Sequence, residues 1–322
     1  MIIFQLIRLF LERVNPMKWL RPTISITNNC NLACKYCYLE ASPSKKNTLK
    51  LQEIKEIIDL AALQGAEDIK WTGGEIFTCS ILPEVIDYAY NLGIKSTLLT
   101  NGTILDNDLI KQKREMISRV SISIDGPKEI TDTNRGIGTF QKVLKSIDVV
   151  SEQNIPITLM ATLDRRALPN LSFFEELSNT YNIDIIKLGA VLRKGRADDW
   201  EYALNNAEAE LLLKEMKRMY VRSHYKQKYG TNLLTSDSFK LYYRKILEIL
   251  FETLWVDWNG FVSIFPPSAT YDTNKDKSLC HYTEFNSFDF NEYFKFIETK
   301  LFSFKETNTQ VMELYEVIEE LV

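Results

Sequence analysis

The sequence predicts an α/β protein built around a parallel sheet, on three observations. Short runs of β-branched and apolar residues alternate with longer segments in which apolar residues recur at helical spacing. Six strand–helix units follow one another with short connections, which is typical of parallel strands joined by helices. Polar side chains follow the strand segments. This pattern fits either a doubly wound sheet or a sheet curled into a partial barrel.

The strand segments are short and rich in β-branched residues. They are TISIT at 23–27, DIKWT at 68–72, KSTLLT at 95–100, RVSISI at 119–124, PITLMAT at 156–162 and IDIIKLGA at 183–190. Helical spacing marks the segments between them, at 49–65, 80–93, 107–116, 138–154 and 170–180. Gly65 and Gly93 stand where helix C-caps belong. A longer amphipathic helix at 206–222 is predicted to close the sheet.

Composition indicates an enzyme-sized protein that can bury a large core. The chain has 322 residues, is 45% hydrophobic and carries a net charge of −4 without a Lys/Arg block, so nucleic acid is not an expected partner. The apolar run at the N-terminus is interrupted by charge and is too short to span a bilayer. We therefore expect a cytoplasmic protein. Residues 1–16 are predicted to be an extension or an amphipathic helix, 17–225 the core domain, and 226–322 a smaller α+β domain.

Four of the strand segments are followed directly by polar loops. The loop after the first strand carries three cysteines, and GGE (73–75), NGT (101–103) and DG (125–126) follow the next three strands. Taken alone, Asn101-Gly102 and the DG pair are each typical of a turn. Ligands gather at the carboxyl ends of parallel strands, so four such loops predict one composite site at that end of the sheet.

The loop TNNCNLACKYC holds three of the five cysteines in the spacing C-x3-C-x2-C. An odd number of thiols and the lack of a secretory signal disfavour disulfides. Structural zinc usually takes four ligands, and the chain has only two histidines, His224 and His281. Three closely spaced thiolates suit a [4Fe–4S] cluster that leaves one iron open to a substrate or cofactor. The loop therefore predicts a cluster site.

CNLACKYC followed by GGE after the second strand resembles the radical S-adenosylmethionine (SAM) superfamily. The resemblance implies that one [4Fe–4S] cluster is bound by Cys30, Cys34 and Cys37, and that SAM binds its open iron. It places Tyr36 beside the adenine and assigns the SAM amino group to Gly73, Gly74 and Glu75. Ile76 follows Glu75 where the family usually has proline. The fold implied is a partial (β/α)6 TIM-like barrel.

A second segment, SISIDGPKEITDTNRGIGTFQKVLKSI (121–147), resembles the peptide- and protein-modifying members, the sulfatase-maturase and SPASM/Twitch group. By this resemblance Ser123 and Arg135 contact SAM, and an arginine is suited to clamp its carboxylate with two hydrogen bonds. Asn101 is a further candidate SAM contact. The GRA segment (195–197) also resembles a loop of that group.

The C-terminal part resembles that group in layout but has few cysteines. A helix is predicted at 239–255 and a hairpin at 254–265, with Asn259-Gly260 in the turn. Relatives have proline then cysteine where this chain has Phe265-Pro266, and only Cys280 follows. Auxiliary clusters need several thiolates, so we expect a single cluster and a cluster-free recognition domain that is a SPASM-like remnant.

The resemblance implies that SAM is cleaved to a 5′-deoxyadenosyl radical, with flavodoxin or ferredoxin as a suitable electron donor. The expected substrate is a ribosomally made peptide, modified by cross-linking, oxidation or epimerisation.

Cys280 is a candidate hydrogen donor in an epimerase, or a structural residue; Cys79 is interpreted as a buried small hydrophobe. The alternatives are a radical enzyme of cofactor or nucleoside metabolism, a glycyl-radical activating enzyme, and an inactive scaffold.

Overall fold

The computed structural model describes residues 19–181, 183–191, 193–223, 226, 228–231, 233–234, 254–263, 280–287 and 312–313. The predictions for residues 1–16 fall outside these ranges. So does the helix predicted at 239–255, of which only residues 254–255 are described, and part of the hairpin predicted at 254–265.

Six parallel strands form the centre of the molecule. They are β1 (Thr23–Thr27), β2 (Asp68–Gly73), β3 (Lys95–Thr100), β4 (Ile117–Ser123), β5 (Ile157–Leu163) and β6 (Ile183–Ala190). Each strand pairs in parallel with the next one along the chain. A doubly wound sheet reverses its strand order partway across, whereas this order is sequential. The partial barrel is confirmed, and three of the six predicted strands have the predicted bounds.

Helices connect the strands. They are α1 (Leu51–Leu63), α2 (Leu82–Asn91), α3 (Asn107–Gln112), α4 (Lys128–Arg135), α5 (Thr139–Glu152), α6 (Ser172–Thr180) and α7 (Asn206–Arg222). Gly65 and Gly93 follow the ends of α1 and α2 with φ of +83° and +80°, as their C-cap prediction requires. The sequence did not predict α4 as a helix. Its buried side chains are Thr131, Asp132, Asn134 and Arg135, so it has no apolar periodicity to detect.

The two faces of the sheet differ in polarity. One face packs with the helices in a single apolar core, and one row across it is fully or almost fully buried: Ile24, Trp71, Leu98, Val120, Ile157 and Ile183. The other face, which lines the barrel, carries Ser25, Thr72, Thr97, Arg119, Ser123 and Lys187. Strand side chains alternate between faces, so the helices stabilise one face while the other is free to bind a polar ligand.

Short strands extend this sheet at both ends. On one side β6 pairs in parallel with β7 (Lys228–Gly230). On the other side β1 pairs in parallel with β9 (Trp255–Val256), which forms a hairpin with β10 (Phe261–Ser263), followed by β11 (Cys280–His281). A separate pair joins β8 (Leu233–Leu234) to β12 (Met312–Glu313). The hairpin that the sequence assigned to a separate domain thus continues the barrel sheet. The domain bounds stay a prediction.

Candidate active site

The three clustered cysteines lie in the loop after β1, at the carboxyl end of the barrel. Cys30 is buried, whereas Cys34 and Cys37 are partly exposed. The Cys30 sulfur accepts a hydrogen bond from Leu32 N at 3.4 Å, and Cys37 N donates to Cys34 O at 3.3 Å. Burial, with smaller contributions from the nearby charges of Glu75, Cys34 and Cys37, raises the pKa of Cys30 to about 12, although the Leu32 hydrogen bond lowers it. The thiols are therefore close neighbours that share one electrostatic environment.

The NGT loop after β3 holds the first part of the cysteine loop. Asn101 Nδ2 donates to Asn31 Oδ1 at 2.9 Å and lies 3.7 Å from the Cys30 sulfur, within hydrogen-bond range for that atom. Asn31 Nδ2 in turn donates to Thr103 Oγ1 at 2.8 Å. The Asn101 amide, predicted from the sequence to contact SAM, is thus engaged with the cysteine loop. The SAM contact stays a prediction.

The GGE loop after β2 packs directly on the end of β1. Gly74 N donates to Thr27 O at 2.7 Å, and Glu75 N donates to Asn29 O at 2.8 Å. A Cβ at Gly73 would lie 2.3 Å from Thr27 O, and one at Gly74 would lie 2.1 Å from Asn29 O. Glycine is therefore required at both positions for a reason besides the predicted approach to SAM, because no side chain fits between these two backbone segments.

Glu75 is a buried carboxylate held in one orientation by three donors. Its Oε1 accepts from Thr100 Oγ1 at 2.8 Å and from Phe77 N at 3.2 Å, and its Oε2 accepts from Asn101 N at 2.7 Å. Burial raises its pKa to about 7, against the opposing effect of these donors. A carboxylate has about four lone-pair sites, so one remains for a further donor such as an ammonium group.

Arg135 binds a carboxylate of the protein itself. Its Nε and one terminal nitrogen donate to the two oxygens of Asp125, each at 2.8 Å. Asp125 is fully buried and also accepts from the Tyr36 hydroxyl and from Thr162 N, the latter at 3.1 Å. The Arg135 guanidinium lies 5.7 Å from the centre of the Tyr36 ring. The sequence placed the DG loop at this end of the sheet but did not identify Asp125 as the group that links Tyr36 to Arg135.

The contacts of Arg135 and Ser123 with SAM stay predictions. Ser123 is the last residue of β4, two positions before Asp125, and it lines the barrel. Two nitrogens of the Arg135 guanidinium are engaged by Asp125. Both side chains belong to the same carboxyl end of the barrel as Glu75.

Arg196 in the GRA loop is a second residue whose role the sequence did not reveal. Its Nε donates to Cys34 O at 2.8 Å, and one terminal nitrogen donates to Ala41 O at 2.8 Å. A Cβ at Gly195, where φ is +57°, would lie 2.7 Å from Tyr38 O. The GRA loop follows β6 and the NGT loop follows β3, and both loops contact the cysteine loop. In the sequence, only the family resemblance of the GRA segment indicated that this loop belongs to the site.

The chemistry of the donor set, three thiols on one loop, suits an iron–sulfur cluster. A single zinc needs all its sulfur ligands at about 2.3 Å, whereas in a cubane each thiolate binds a different iron. The hydrogen bond to the Cys30 sulfur is of the kind that stabilises a cluster thiolate.

The two remaining cysteines lie elsewhere. Cys79 is buried in the main apolar core, and burial raises its pKa, as its interpretation as a small hydrophobe expects. Cys280 belongs to β11 and pairs with Val262 of the hairpin. The Cys280 side chain is outside the described part of the structure, so its role as a hydrogen donor stays a prediction.

Comparison with known proteins identifies the class. Residues 24–165 match the family model described as the radical SAM superfamily. This segment contains the cysteine loop, the GGE and NGT loops, and the Asp125–Arg135 pair. The match places residues 24–165 in the radical SAM superfamily, whose cofactors are a [4Fe–4S] cluster and SAM.

Two curated relatives represent two kinds of chemistry. The chain is 28% identical over 204 residues to an Fe-coproporphyrin III synthase of Methanosarcina barkeri, a match covering 61% of the chain and 51% of the relative. It is 35% identical over 141 residues to the antilisterial bacteriocin subtilosin biosynthesis protein AlbA of Bacillus subtilis, covering 42% and 31%. The chain thus matches about half or less of the length of these relatives.

A solved structure shares the fold. Streptococcus suis SuiB bound to the precursor peptide SuiA aligns with a TM-score of 0.65 at 14% identity, covering 76% of this chain and 59% of that one. Within the described residues, no helix is both long enough and apolar enough to cross a membrane.

Proposed function

We propose that this chain modifies a ribosomally synthesised peptide by abstracting a hydrogen atom from it. The observation that carries the proposal is the site itself: three thiols and the buried Glu75 carboxylate lie together at the carboxyl end of a barrel whose inner face is polar. The peptide substrate is supported by AlbA, which is named for bacteriocin biosynthesis, and by SuiB, which binds a precursor peptide.

In this proposal the residues of the site bind the cluster, bind SAM or orient the residues that do. Cys30, Cys34 and Cys37 hold the cluster, and Glu75 accepts a hydrogen bond from the SAM ammonium through its remaining lone pair. Asp125 holds the Tyr36 hydroxyl and the Arg135 guanidinium in place, so that the aromatic ring has one orientation. When bound, the cluster and SAM supply a reductive cleavage that yields a carbon-centred radical.

Reduction needs an electron-donor protein, and we propose a flavodoxin or a ferredoxin. Cys34 and Cys37 are partly exposed, so the cysteine loop comes near the surface. The neighbouring Arg196 and Lys35 would favour the approach of an acidic partner.

The test uses the reconstituted protein under anaerobic conditions with SAM, a reductant and a candidate peptide, such as one encoded beside this chain. We expect peptide-dependent formation of 5′-deoxyadenosine and a modified peptide. A loss of two hydrogens would indicate cross-linking or oxidation. A mass that is unchanged in ordinary water but increased by deuterium uptake in deuterated water would indicate epimerisation. Failure of every such peptide, with turnover of a small molecule instead, would refute the proposal.

The role of Cys280 is tested in the same assay. If the product is an epimer and Cys280 supplies the hydrogen, Cys280→Ala should still form 5′-deoxyadenosine but no epimer. Deuterium uptake should then be confined to the unmutated protein. Unchanged epimerisation by the variant would make Cys280 a structural residue.

The second candidate function is a radical reaction on a small molecule of cofactor metabolism. It is favoured by the Fe-coproporphyrin III synthase of M. barkeri, which matches a longer stretch of the chain than AlbA does. A nucleoside substrate or an activating role for a glycyl-radical enzyme belongs to the same alternative. Turnover without any peptide separates these functions from the leading proposal.

A further inference from the structure

Lys187 projects from β6 into the barrel and has no part in the site described above. Cross-strand pairing places it in a row with Ser123 of β4, Met160 of β5 and Gly230 of β7. Residues paired in this way share one face of a parallel sheet, so Lys187 faces the same interior as Ser123. The adjacent Ile186 and Leu188 are fully buried on the opposite face.

Lys187 lies on the barrel-lining face of the sheet, near groups that affect its charge. Its side chain is exposed to solvent, yet surrounding protein groups desolvate it in part and, with the repulsion from Arg119, lower its pKa. A Cβ at Gly230 would lie 3.5 Å from Lys187 Cγ, so the stem of the lysine lies against this glycine. The base of the Lys187 side chain is therefore in contact with β7.

Lys187 differs from the other basic residue nearby. Arg119 has protein partners, because one of its terminal nitrogens lies 2.7 Å from Asp184 and the other donates to Thr158. Among the described residues, no hydrogen bond or ion pair is found for the Lys187 ammonium. An exposed ammonium on this face that has no protein partner is available to a ligand of opposite charge.

The distance between β6 and β4 places such a ligand next to the proposed SAM site. Lys187 and Ser123 lie two strands apart, which is about 10 Å between their backbones. An extended lysine side chain spans much of that distance. A group bound by the ammonium would therefore lie beside the end of β4, where the proposed substrate must sit to be reached.

We propose that Lys187 binds a carboxylate of the substrate and so selects substrates with an acidic group near the reacting position. The inference rests on the proposed function for where the substrate sits, and it names the chemical class of the group recognised. A carboxylate is the matching partner because it accepts charge-assisted hydrogen bonds from an ammonium.

The test measures binding of short probes to the reconstituted protein with SAM. The probes are an acetylated, amidated Ala-Glu-Ala tripeptide, the same tripeptide with Gln or with Lys in place of Glu, and glutarate. We expect the Glu peptide to bind about tenfold more tightly than the Gln peptide, as one hydrogen bond to a charged group provides. Lys187→Met should remove this difference, and Lys187→Arg should keep it.

Charge reversal and a control make the result specific. Lys187→Glu should prefer the Lys peptide over the Glu peptide, which a folding defect could not produce. Lys111→Met, which changes an exposed lysine on α3, should behave as the unmutated protein does. Equal binding of the Glu and Gln peptides, including no binding of either at millimolar concentration, would overturn the proposal. So would weaker SAM binding by Lys187→Met with the peptide preference unchanged, since that result would assign Lys187 to the cofactor.

The glutarate probe separates this proposal from the proposed function. If glutarate binds through Lys187 as tightly as the Glu peptide, the carboxylate site exists but the peptide backbone adds nothing. The peptide-modifying function would then be weakened while the role of Lys187 stands.

Discussion

The cysteine loop (residues 28–42) and the hairpin at 254–263 both adjoin β1, but they are held in different ways. The cysteine loop depends on distant residues: Asn101, Glu75 and Arg196 all contact it from other loops. The hairpin is held by its own turn and by the strands β1 and β11 on either side of it. Asp257 accepts hydrogen bonds from Asn259 N and Phe261 N, at 2.8 and 2.9 Å, and so fixes its own turn.

The difference shows which region of the molecule positions the residues of the site. A loop that is held by three other loops can be placed accurately, because its position is set by the rigid barrel beneath it. The hairpin contacts this loop through one side chain, Trp258, which packs with Cys30, Leu39 and Ala41, and it otherwise extends the sheet. Changes in the two regions should therefore have separable effects on cluster content and on stability.

The largest effect is expected from the cysteines themselves. Replacing Cys30, Cys34 and Cys37 together with alanine removes every proposed cluster ligand, so the iron and sulfide of anaerobically purified protein should fall to background. The unmutated protein should contain about four irons, the content of one cubane. The measurements are iron and sulfide analysis and visible absorbance.

Cys79→Ala is the matched control, since Cys79 is buried in the apolar core away from the loop. It should keep its iron. Retention of most iron by the triple variant would refute the assignment, and about eight irons that persist in a Cys79/Cys280 double variant would show further non-cysteine ligands.

The next largest effect is expected from Asp125→Asn, which leaves the Arg135 guanidinium buried without its counter-charge. Breaking a buried pair in this way costs roughly 3–5 kcal/mol of the free energy of unfolding. Asp184→Asn is the control, because its partner Arg119 is partly exposed; it should cost less than about 1 kcal/mol. Denaturant unfolding of the cluster-free proteins measures both. Equal costs would show that the Asp125 pair is not the buried anchor of the site.

A smaller, ligand-specific effect is expected from Glu75→Gln. Loss of one hydrogen bond to a charged group should weaken SAM binding about ten- to a hundredfold with the cluster retained. Glu115→Gln, at an exposed surface position, should leave the affinity unchanged. Calorimetry and iron analysis measure the two properties. Unchanged SAM affinity with loss of iron would reverse the role assigned to Glu75.

The same carboxylate predicts a pH dependence. The pKa of Glu75 is raised to about 7 without ligand, and the SAM ammonium binds its ionised form. Below that pKa the carboxyl is protonated, so SAM affinity should fall by up to about tenfold per pH unit as the pH drops from 7. Glu75→Gln should abolish this dependence, and a pH profile that survives in the variant would assign it to another group.

The smallest effect is expected in the hairpin. Gly260 has a φ of +83°, and alanine there would cost about 1–2 kcal/mol for the left-handed backbone. A Cβ would also lie 2.6 Å from His281 Nε2. Gly65→Ala is a matched control with the same φ and nothing within 4 Å, so the excess destabilisation measures the contact with β11. Iron content should be unchanged in both variants; a loss in Gly260→Ala would mean that the hairpin helps to hold the cluster.

Local patterns predicted most of the barrel. β1, β3 and β6 begin and end where the sequence placed them, because the apolar run and its flanking polar residues are both local signals. The same holds for α7, whose first turn has a capping box between Asn205 and Glu208. The helix α4 was missed, since its buried face is polar and its partners come from other elements.

The hairpin shows how much of a turn's structure a sequence motif can predict. The sequence assigned the turn to Asn259-Gly260, and the turn does lie there. Only Gly260 takes the left-handed conformation, however, and Asp257 begins the turn with its side chain and its backbone N–H to Phe261 O. That β9 pairs with β1 was not predictable, because more than two hundred residues separate them.

The sequence by itself determined the class of site: the spacing of Cys30, Cys34 and Cys37 and the GGE motif limit which cofactor these residues suit. Only the tertiary structure decided what each remaining side chain does. Asp125 and Arg135 lie ten residues apart and their pairing depends on the turn between β4 and α4, while Arg196 reaches the cysteine loop across more than 150 residues. Spacing shows which chemical groups are near in the chain, whereas hydrogen-bond partners depend on burial, because a buried charged group needs partners from wherever the fold supplies them.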